Sequence, residues 1–284
     1  MRGEAISTQP IITLTTDFGL RGSFVSAMKG VILRINLNAL IVDITHEIEP
    51  QNVLEASRVL GESYRYFPDG TIHICVVDPG VGSSRRPVVL HDGKHYFVGP
   101  DNGVFSKVIT EADQRLRGYH ITESRYFLPE VSSTFHGRDV FAPVAAWLSR
   151  WVSCGSFGDL ISDFTVIPEE EPKKIDGGVE GKITHTDRFG NLITNISADL
   201  IEAEKHELSK DKLAVRVEGK DEAFDLYSFY NEAGEQNKTG ALINSEGYLE
   251  IFFYRGSAQN KLGINVGAKV TLCSNNSFAR QGEA

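Results

Sequence analysis

Acidic side chains lie at the ends of three apolar, β-branched runs in the first half of the chain. Asp17 follows IITLTT, Asp43 and His46 lie at the end of LIVDIT, and Asp78 follows HICVV. In open parallel sheets, ligands bind beyond the carboxyl ends of the strands, so these carboxylates can converge on one crevice. Each acid taken singly is equally well explained by a loop or a helix cap, because turn chemistry also favours Asp.

Two loop motifs add a cation and a base. The stretch VVDPGVGSSRR leads from Asp78 through a glycine turn to Arg85, and STFHGRD places His136 in a turn just ahead of an apolar helix. A carboxylate, a guanidinium and an imidazole are groups that can hold a water molecule and take its proton. The alternatives are a hairpin with a surface ion pair and a structural histidine.

The second half of the chain contains polar and aromatic residues that suit a purine ligand. The stretch HTDRFGNLITNI includes Asp187 and Asn191, YSFYNEAG includes Tyr230, and NSEGYLEIFFYRGSA includes Ser245 and Gly256. An aromatic face can stack on a base, and an amide can pair with the donors and acceptors at its edge. Core aromatics and turn formers are the alternative explanation for these residues taken one at a time.

Two familiar-looking motifs fail when their context is considered. The letters DFG at 17–19 resemble a kinase motif, but only 16 residues precede them, which leaves no room for the other kinase elements. The letters GVG at 80–82 resemble a nucleotide-binding loop, but the strand-like RPVVL follows instead of a helix. Neither function is predicted.

The elements that would position the first-half residues alternate between strand and helix patterns. Apolar strand-like runs are separated by two helical patterns, and this order favours a parallel sheet with crossover helices. A hairpin with Asp92-Gly93 at its turn follows, and then a helix from about Asp139. The helical segments are SFVSAMKGVILRI and NVLEASRVLGESYRYF, the second with Asn52 as a candidate N-cap.

The pattern changes near residue 168. The segment PEEEPKKIDGG is charged and lacks apolar periodicity, so it is predicted to be a linker at 168–178 between an α/β domain at 1–167 and a second domain at 179–284. Short β-type runs separated by Gly, Asn and Asp fill the second domain, which is typical of a small sandwich or barrel.

Composition narrows the class of ligand. The chain has 284 residues and a formal net charge of −9, which disfavours nucleic acid and favours a cationic small molecule. Its cysteines, Cys75, Cys154 and Cys273, are scattered and indicate reduced thiols. The first ten residues, MRGEAISTQP, contain no apolar signal segment, and no apolar run is long enough to span a membrane. We therefore expect a cytoplasmic protein without membrane partners.

The motifs in combination resemble one enzyme family. In order, TTDFG, VVDPGVGSSRR, GPDNG, STFHGRD, DRFGNLITNI and INSEGYLEI are similar to motifs of the S-adenosyl-L-methionine (SAM) hydroxide adenosyltransferases, or adenosine-forming SAM hydrolases, which are relatives of fluorinases and chlorinases. The resemblance extends from about Ile11 to Cys273. It implies an N-terminal α/β domain with a largely parallel central sheet, a smaller C-terminal all-β barrel, and a homotrimer with active sites between subunits.

The resemblance also implies a reaction. Water or hydroxide attacks ribose C5′ in line with the departing methionine, without a metal or redox cofactor. The catalytic set of the family corresponds to Asp78, Arg85 and His136. Either Asp78 or His136 could take the proton of the water, and the sequence leaves that choice open.

The substrate-binding roles implied by the resemblance fall on six residues. The ribose diol corresponds to Asp17, and the methionine part to Asp187 and Ser245. The remaining roles concern adenine: hydrogen bonding by Asn191, stacking by Tyr230 and backbone contacts near Gly256.

Some positions depart from the halogenating relatives. Those enzymes carry tyrosines where this chain has Asp78 and His136, and a carboxylate beside a halide would repel it. Hydrolysis is therefore favoured over halogenation. Further departures from the fluorinase are Val81 and Gly137 in place of hydroxyls, Ile193 in place of a tryptophan and Glu246 in place of an arginine.

Two other functions stay open at this stage. One is a metal-dependent hydrolase that uses acidic and histidine ligands, since these residue types suit hard or borderline cations. The other is a SAM-binding sensor with incidental turnover. The candidate metal ligands are Asp17, Asp43, His46, Asp78 and His136.

Overall fold

The chain forms two compact units, Met1–Pro168 and Glu169–Ala284. The computed structural model describes residues 9–112, 114–207, 213–233 and 238–274, so residues 1–8 of the N-terminal segment considered above lie outside the described part. Within the described ranges, no helix is both long and apolar enough to span a membrane.

A mixed seven-stranded sheet forms the centre of the first unit. Its order is β2-β1-β3-β5-β4-β6-β7, and the β1–β2, β1–β3 and β3–β5 pairs are parallel whereas the remaining pairs are antiparallel. The predicted parallel strands and the predicted hairpin, β4 with β5, are both confirmed. The strands are β1 (Ile11–Thr16), β2 (Leu40–Thr45), β3 (Ile72–Val76), β4 (Pro87–His91), β5 (Tyr96–Pro100), β6 (Arg117–His120) and β7 (Leu160–Ile161).

Helices cover both faces of this sheet. They are α1 (Phe24–Ile35), α2 (Val53–Ser63), α3 (Ser106–Glu111) and α4 (Ala142–Leu148). One apolar cluster joins α1 and α4 to one face, for example through Met28 and Ile74, and another joins α2 and α3 to the opposite face, for example through Leu60 and Cys75. Neighbouring residues of β3 therefore point to opposite faces, as strand geometry requires.

The helix predicted from about Asp139 begins differently. A π-helical turn, Gly137–Phe141, precedes α4, and Phe141 within it is fully buried. Turns of this type interrupt regular helices and often occur at functional sites. This one starts directly after His136.

The described part of the second unit is an antiparallel sheet that is nearly a closed barrel. The strand order is β12-β11-β15-β9-β10-β14-β13, and a single bridge between Leu226 and Ala241 links the end of β12 to β13. The predicted barrel is thereby confirmed. The strands are β8 (Lys173–Ile175), β9 (Gly178–Thr186), β10 (Leu192–Ser197), β11 (Leu213–Val217), β12 (Ala223–Asp225), β13 (Thr239–Ile243), β14 (Tyr248–Phe253) and β15 (Lys269–Ser274).

The sequence patterns missed some elements of this unit. Strand β8 lies within the range 168–178, predicted as a linker, and pairs with β9 through backbone hydrogen bonds that its charged side chains do not reveal. Helix α5 (Ala198–Glu207) was not predicted, because its apolar stripe is short: Ile201 is buried, whereas the neighbouring Leu200 is 36% exposed. Helix α6 (Ala258–Leu262) begins at Ser257, which caps it through the N–H of Asn260.

The N-cap of α2 can be tested directly. The Asn52 side chain accepts a hydrogen bond from the Glu55 N–H at 3.1 Å. We expect Asn52→Ala to lower the free energy of unfolding by about 1 kcal/mol, because a first-turn N–H loses its acceptor, and Asn52→Ser to cost only a few tenths of that figure. Urea denaturation followed by tryptophan fluorescence reports on the first unit, because Trp147 and Trp151, both tryptophans of the chain, lie in it. Equal losses for the two variants would contradict the cap.

Candidate active site

Asp78 and Arg85 lie in the loop between β3 and β4, and His136 lies in the loop ahead of α4. Gly82 allows the two loops to approach each other: its φ is +77°, and a Cβ built there would lie 2.3 Å from the carbonyl oxygen of Ser133. Any larger residue would push the loops apart. The glycine turn of VVDPGVGSSRR therefore has a steric purpose that brings Arg85 to His136.

The Arg85 guanidinium binds both other members of this group. Its Nε lies 3.0 Å from each oxygen of Asp78, and its Nη2 donates to Asp78 Oδ2 and to His136 Nδ1, the latter at 2.8 Å. The side chains of Arg85 and Asp78 are only 9% and 5% exposed. The pair is thus shielded from solvent, and the carboxylate balances the guanidinium charge.

This contact determines the proton position on His136. An arginine side chain only donates hydrogen bonds, so Nδ1 must be the acceptor and the proton of the neutral ring lies on Nε2. Burial, followed by the positive charge of Arg85, lowers the pKa of His136 below its usual value. His136 is therefore a neutral imidazole that presents an N–H donor.

One buried donor of the group has no partner among the described residues. Arg85 Nη1 is buried, and among the described residues none accepts a hydrogen bond from it. The guanidinium also lies 5.3 Å from the ring centre of Phe141, in the π-helical turn. Buried donors are normally paired, so the unpartnered Nη1 is an exception that marks this group as a candidate functional site.

Asp17 lies at the same edge of the sheet. The β1–β3 register pairs Thr16 with Val76, so Asp17 and Asp78 leave neighbouring parallel strands at corresponding ends. Burial, and then the charge of Asp17, raises the pKa of the Cys75 thiol on β3. The strand-end carboxylates Asp17 and Asp78 therefore share one edge, as the sequence predicts.

Aromatic packing links the loop of Asp17 to the loop of His136. The ring centres of Phe18 and Phe135 are 5.8 Å apart, and Phe24 of α1 lies within 5.5 Å of both. Phe18 follows Asp17 and Phe135 precedes His136. The spacing of the two polar side chains therefore depends on this apolar contact.

Asp43, His46, Asp78 and His136 do not form one group. Asp43 lies 2.6 Å from Lys29 and 3.1 Å from His46, whereas the polar contacts of Asp78 and His136 are with Arg85. Over the described ranges, no set of three or more His, Cys, Asp and Glu side chains has a metal-binding arrangement. The ligand set considered in the sequence analysis is thus not assembled here.

In the second unit, Asp187 and Asn191 bind each other. Asp187 Oδ1 accepts the backbone N–H groups of Phe189 and Asn191 at 2.9 and 2.8 Å, and its Oδ2 accepts the Asn191 side-chain amide at 2.9 Å. This turn leaves the Phe189 ring 77% exposed. Sequence reasoning gave the two polar residues separate roles, and the structure makes them one unit.

Tyr230, Ser245 and Gly256 are held by different contacts. The Tyr230 hydroxyl donates to Glu250 Oε1 at 2.7 Å, and the Ser245 hydroxyl donates to Glu246 Oε1 at 2.7 Å. Gly256 donates its N–H to the Phe253 carbonyl at 3.0 Å. Burial, followed by the hydrogen bond with Glu250, raises the pKa of Tyr230.

Glu250 was not singled out from the sequence. It is 3% exposed on β14, and burial, together with the charge of Asp187, raises its pKa. The available signal was one acidic residue within the apolar run YLEIFF. Gln51, which donates to Asp17, gave no signal at all, because the contact uses its backbone N–H.

Comparisons with known proteins show the family of the chain. Residues 12–158 match the N-terminal domain of SAM hydroxide adenosyltransferases, and residues 181–271 match the C-terminal domain. The chain is similar to the (R)-S-adenosyl-L-methionine hydrolase of Methanocaldococcus jannaschii, with 38% identity over 90% of this chain and 92% of the relative. It is also similar to a fluorinase of an Actinoplanes species, with 27% identity over 93% and 97%.

A solved structure shares the fold. The crystal structure of an uncharacterized conserved protein from Thermotoga maritima superposes with a TM-score of 0.84 at 36% identity, covering 92% of this chain and 99% of that one. The likeness therefore extends over both units.

The protonation state of His136 is testable without a substrate. We expect Arg85→Met to raise the His136 pKa, because the variant removes a nearby positive charge that disfavours the imidazolium. Imidazole ¹⁵N NMR over a pH series measures this shift, and a His136→Asn spectrum assigns the signal. The pKa of His136 is lower in the folded chain than in the unfolded chain, so the neutral ring stabilises the fold. This stabilisation is complete above about pH 6.5 and is lost as the pH falls below that value. An Nδ1–H tautomer in the unmodified chain would contradict the assignment.

Proposed function

The chain belongs to the SAM hydroxide adenosyltransferase family, and on this premise we propose that it hydrolyses S-adenosyl-L-methionine to adenosine and L-methionine. The observation that carries the proposal is the buried Arg85 guanidinium, which binds Asp78 and His136 and whose Nη1 has no partner among the described residues. The M. jannaschii relative is named for the (R) epimer at sulfur. We extend that preference to this chain.

The nucleophile is a water molecule beside Asp78, Arg85 and His136. Bulk water has a pKa of about 15.7, so its proton must leave during or after attack. His136 Nδ1 accepts from Arg85 and its Nε2 carries a proton, which leaves Asp78 as the acceptor. As the oxygen bonds to carbon it becomes a protonated alcohol, a far stronger acid than water, so a carboxylate is a sufficient base.

Each bond change has a defined destination for its electrons. The water oxygen bonds to ribose C5′, the C5′–S bond breaks, and its electron pair goes to sulfur, which leaves as a neutral thioether. The leaving group therefore requires no acid, and alignment of oxygen, carbon and sulfur supplies most of the rate gain. The proposed reaction uses no metal and no redox cofactor.

The substrate-binding roles follow the family resemblance. Asp17 binds the ribose diol through its two oxygens, and Asp187 with Ser245 binds the amino acid part. Asn191, Tyr230 and the backbone near Gly256 bind adenine. The Tyr230–Glu250 hydrogen bond supports the stacking role, because it holds the ring in one orientation.

We also propose a cytoplasmic homotrimer. The family resemblance carries this proposal, and the side chains of Trp151 and Leu37, which are 86% and 83% exposed, are candidates for the surface that the trimer buries. Analytical ultracentrifugation of the purified chain measures the mass, and a monomer at micromolar concentration would contradict the trimer.

The activity itself is tested by product analysis. We expect purified protein to convert (R)-SAM to adenosine and methionine faster than the (S) epimer, and to do so equally with or without a chelator and with or without chloride. Chromatography of the reaction mixtures detects both products. A requirement for added metal, or a chlorinated nucleoside as the main product, would show that the proposed reaction is wrong.

The roles of Asp78 and His136 predict a division between binding and rate. Asp78→Ala or His136→Ala should abolish turnover and leave SAM affinity within about tenfold, because both side chains act on the water. Calorimetry and single-turnover kinetics give the two quantities. A loss of affinity as large as the loss of rate would assign these residues to the substrate instead.

A further inference from the structure

The loop after β2 is hydrogen-bonded to the loop after β1. Segment 46–51 contacts segment 16–19 through the backbone: Gly19 donates to the His46 carbonyl at 2.8 Å, and Ile48 donates to the Thr16 carbonyl at 3.4 Å. We call these two segments the clasp. Asp17 lies within segment 16–19.

A series of side-chain contacts runs through the clasp from Asp43 at the surface to the backbone N–H of Phe18. His46 Nε2 lies 3.1 Å from Asp43 Oδ1, and His46 Nδ1 lies 2.9 Å from the Thr16 hydroxyl oxygen. The same hydroxyl oxygen accepts the Phe18 N–H at 3.3 Å. His46 Nε2 forms no hydrogen bond within the described residues, so its 3.1 Å approach to Asp43 is an ionic contact, and the hydrogen bond of the ring is the one between Nδ1 and the Thr16 hydroxyl.

Asp43, the charged end of this series of contacts, is held by Lys29 and His46. Burial of Asp43 opposes its ionisation, but the contacts from Lys29 and His46 outweigh that effect and lower the Asp43 pKa. His46 and Thr16 are 3% and 0% exposed, so water competes little for their hydrogen bonds. The position of Phe18, and with it the backbone that follows Asp17, is therefore held from within the protein.

Segment 46–51 of the clasp also binds the Asp17 carboxylate. The Gln51 N–H donates to Asp17 Oδ2 at 2.9 Å. Gln51 has a φ of 67°, in the left-handed region that non-glycine residues adopt only at a cost, and α2 begins two residues later at Val53. This left-handed residue and its contact with Asp17 therefore both lie at the turn into α2.

We propose that His46 and Thr16 are positioning residues for Asp17, which they hold in the orientation that binds a ribose diol. The inference rests on the diol role of Asp17 in the proposed function. A carboxylate receives two adjacent hydroxyls well only when its plane is fixed, and a free rotation would weaken that contact. His46 and Thr16 touch neither the sugar nor the water.

The test compares two ligands that differ only in the diol. Adenosine has both hydroxyls, and 2′,3′-dideoxyadenosine has neither. We expect Thr16→Val, which keeps the shape of the side chain but removes the hydroxyl, to weaken adenosine binding about fivefold and to leave dideoxyadenosine unaffected. Thr16→Ser keeps the hydroxyl and should retain adenosine affinity within about twofold.

Further variants separate positioning from stability. His46→Ala should weaken adenosine binding to a similar extent, and Thr16→Val should add nothing in an Asp17→Asn background, because the coupled group is already lost. His95→Ala is the matched control. His95 directly precedes β5, is 4% exposed and contacts His73 instead of the clasp. It should lower the melting temperature without changing adenosine affinity.

Calorimetry gives the affinities, and SAM turnover by the unmodified chain is measured beside it. Thr16→Val should raise KM and leave kcat within about twofold. Absence of turnover together with the expected adenosine pattern would reject the proposed function and retain the positioning role. Equal losses for both ligands, equal losses for Thr16→Val and Thr16→Ser, or no preference of the unmodified chain for adenosine over dideoxyadenosine would each overturn the inference.

Discussion

The buried Arg85 guanidinium is the interaction on which the candidate site depends. A permanent charge that is 9% exposed requires a counterion, and Asp78 supplies it through contacts with Nε and Nη2. The same Nη2 then requires a second acceptor, which His136 supplies as a neutral ring. One cation thus binds the Asp78 carboxylate and sets the tautomer of the His136 ring.

Several structural features are needed to assemble that interaction. Parallel pairing of β1 and β3 brings Asp17 and Asp78 to one sheet edge, and the glycine at 82 lets the Arg85 loop lie against the backbone of Ser133. The π-helical turn starts directly after His136 and contains Phe141, and both side chains contact the same guanidinium. The chemistry of the group therefore depends on register and steric access as much as on residue type.

The sequence predicted those parts of the structure that depend on local pattern. Apolar runs, helical spacing and the Asn52 cap place the first strands and helices, and the strand-end rule places Asp17 and Asp78 together. Nothing local distinguished Asp43 from these two acids, although its carboxylate instead pairs with Lys29 and His46. Contacts made by backbone groups were also inaccessible, because any residue at position 51 offers the same N–H.

The charges of the group favour a neutral nucleophile. Asp78 and Arg85 balance each other and His136 is neutral, so water adds no charge to the buried site, whereas a halide would bring an uncompensated one next to a carboxylate. In the proposed reaction, positive charge leaves sulfur and reappears on the attacking oxygen. In that reaction Asp78 is placed beside the oxygen, so its negative charge stabilises the transition state more than the substrate and adds to the rate gain from alignment. A carboxylate beside sulfur would do the opposite.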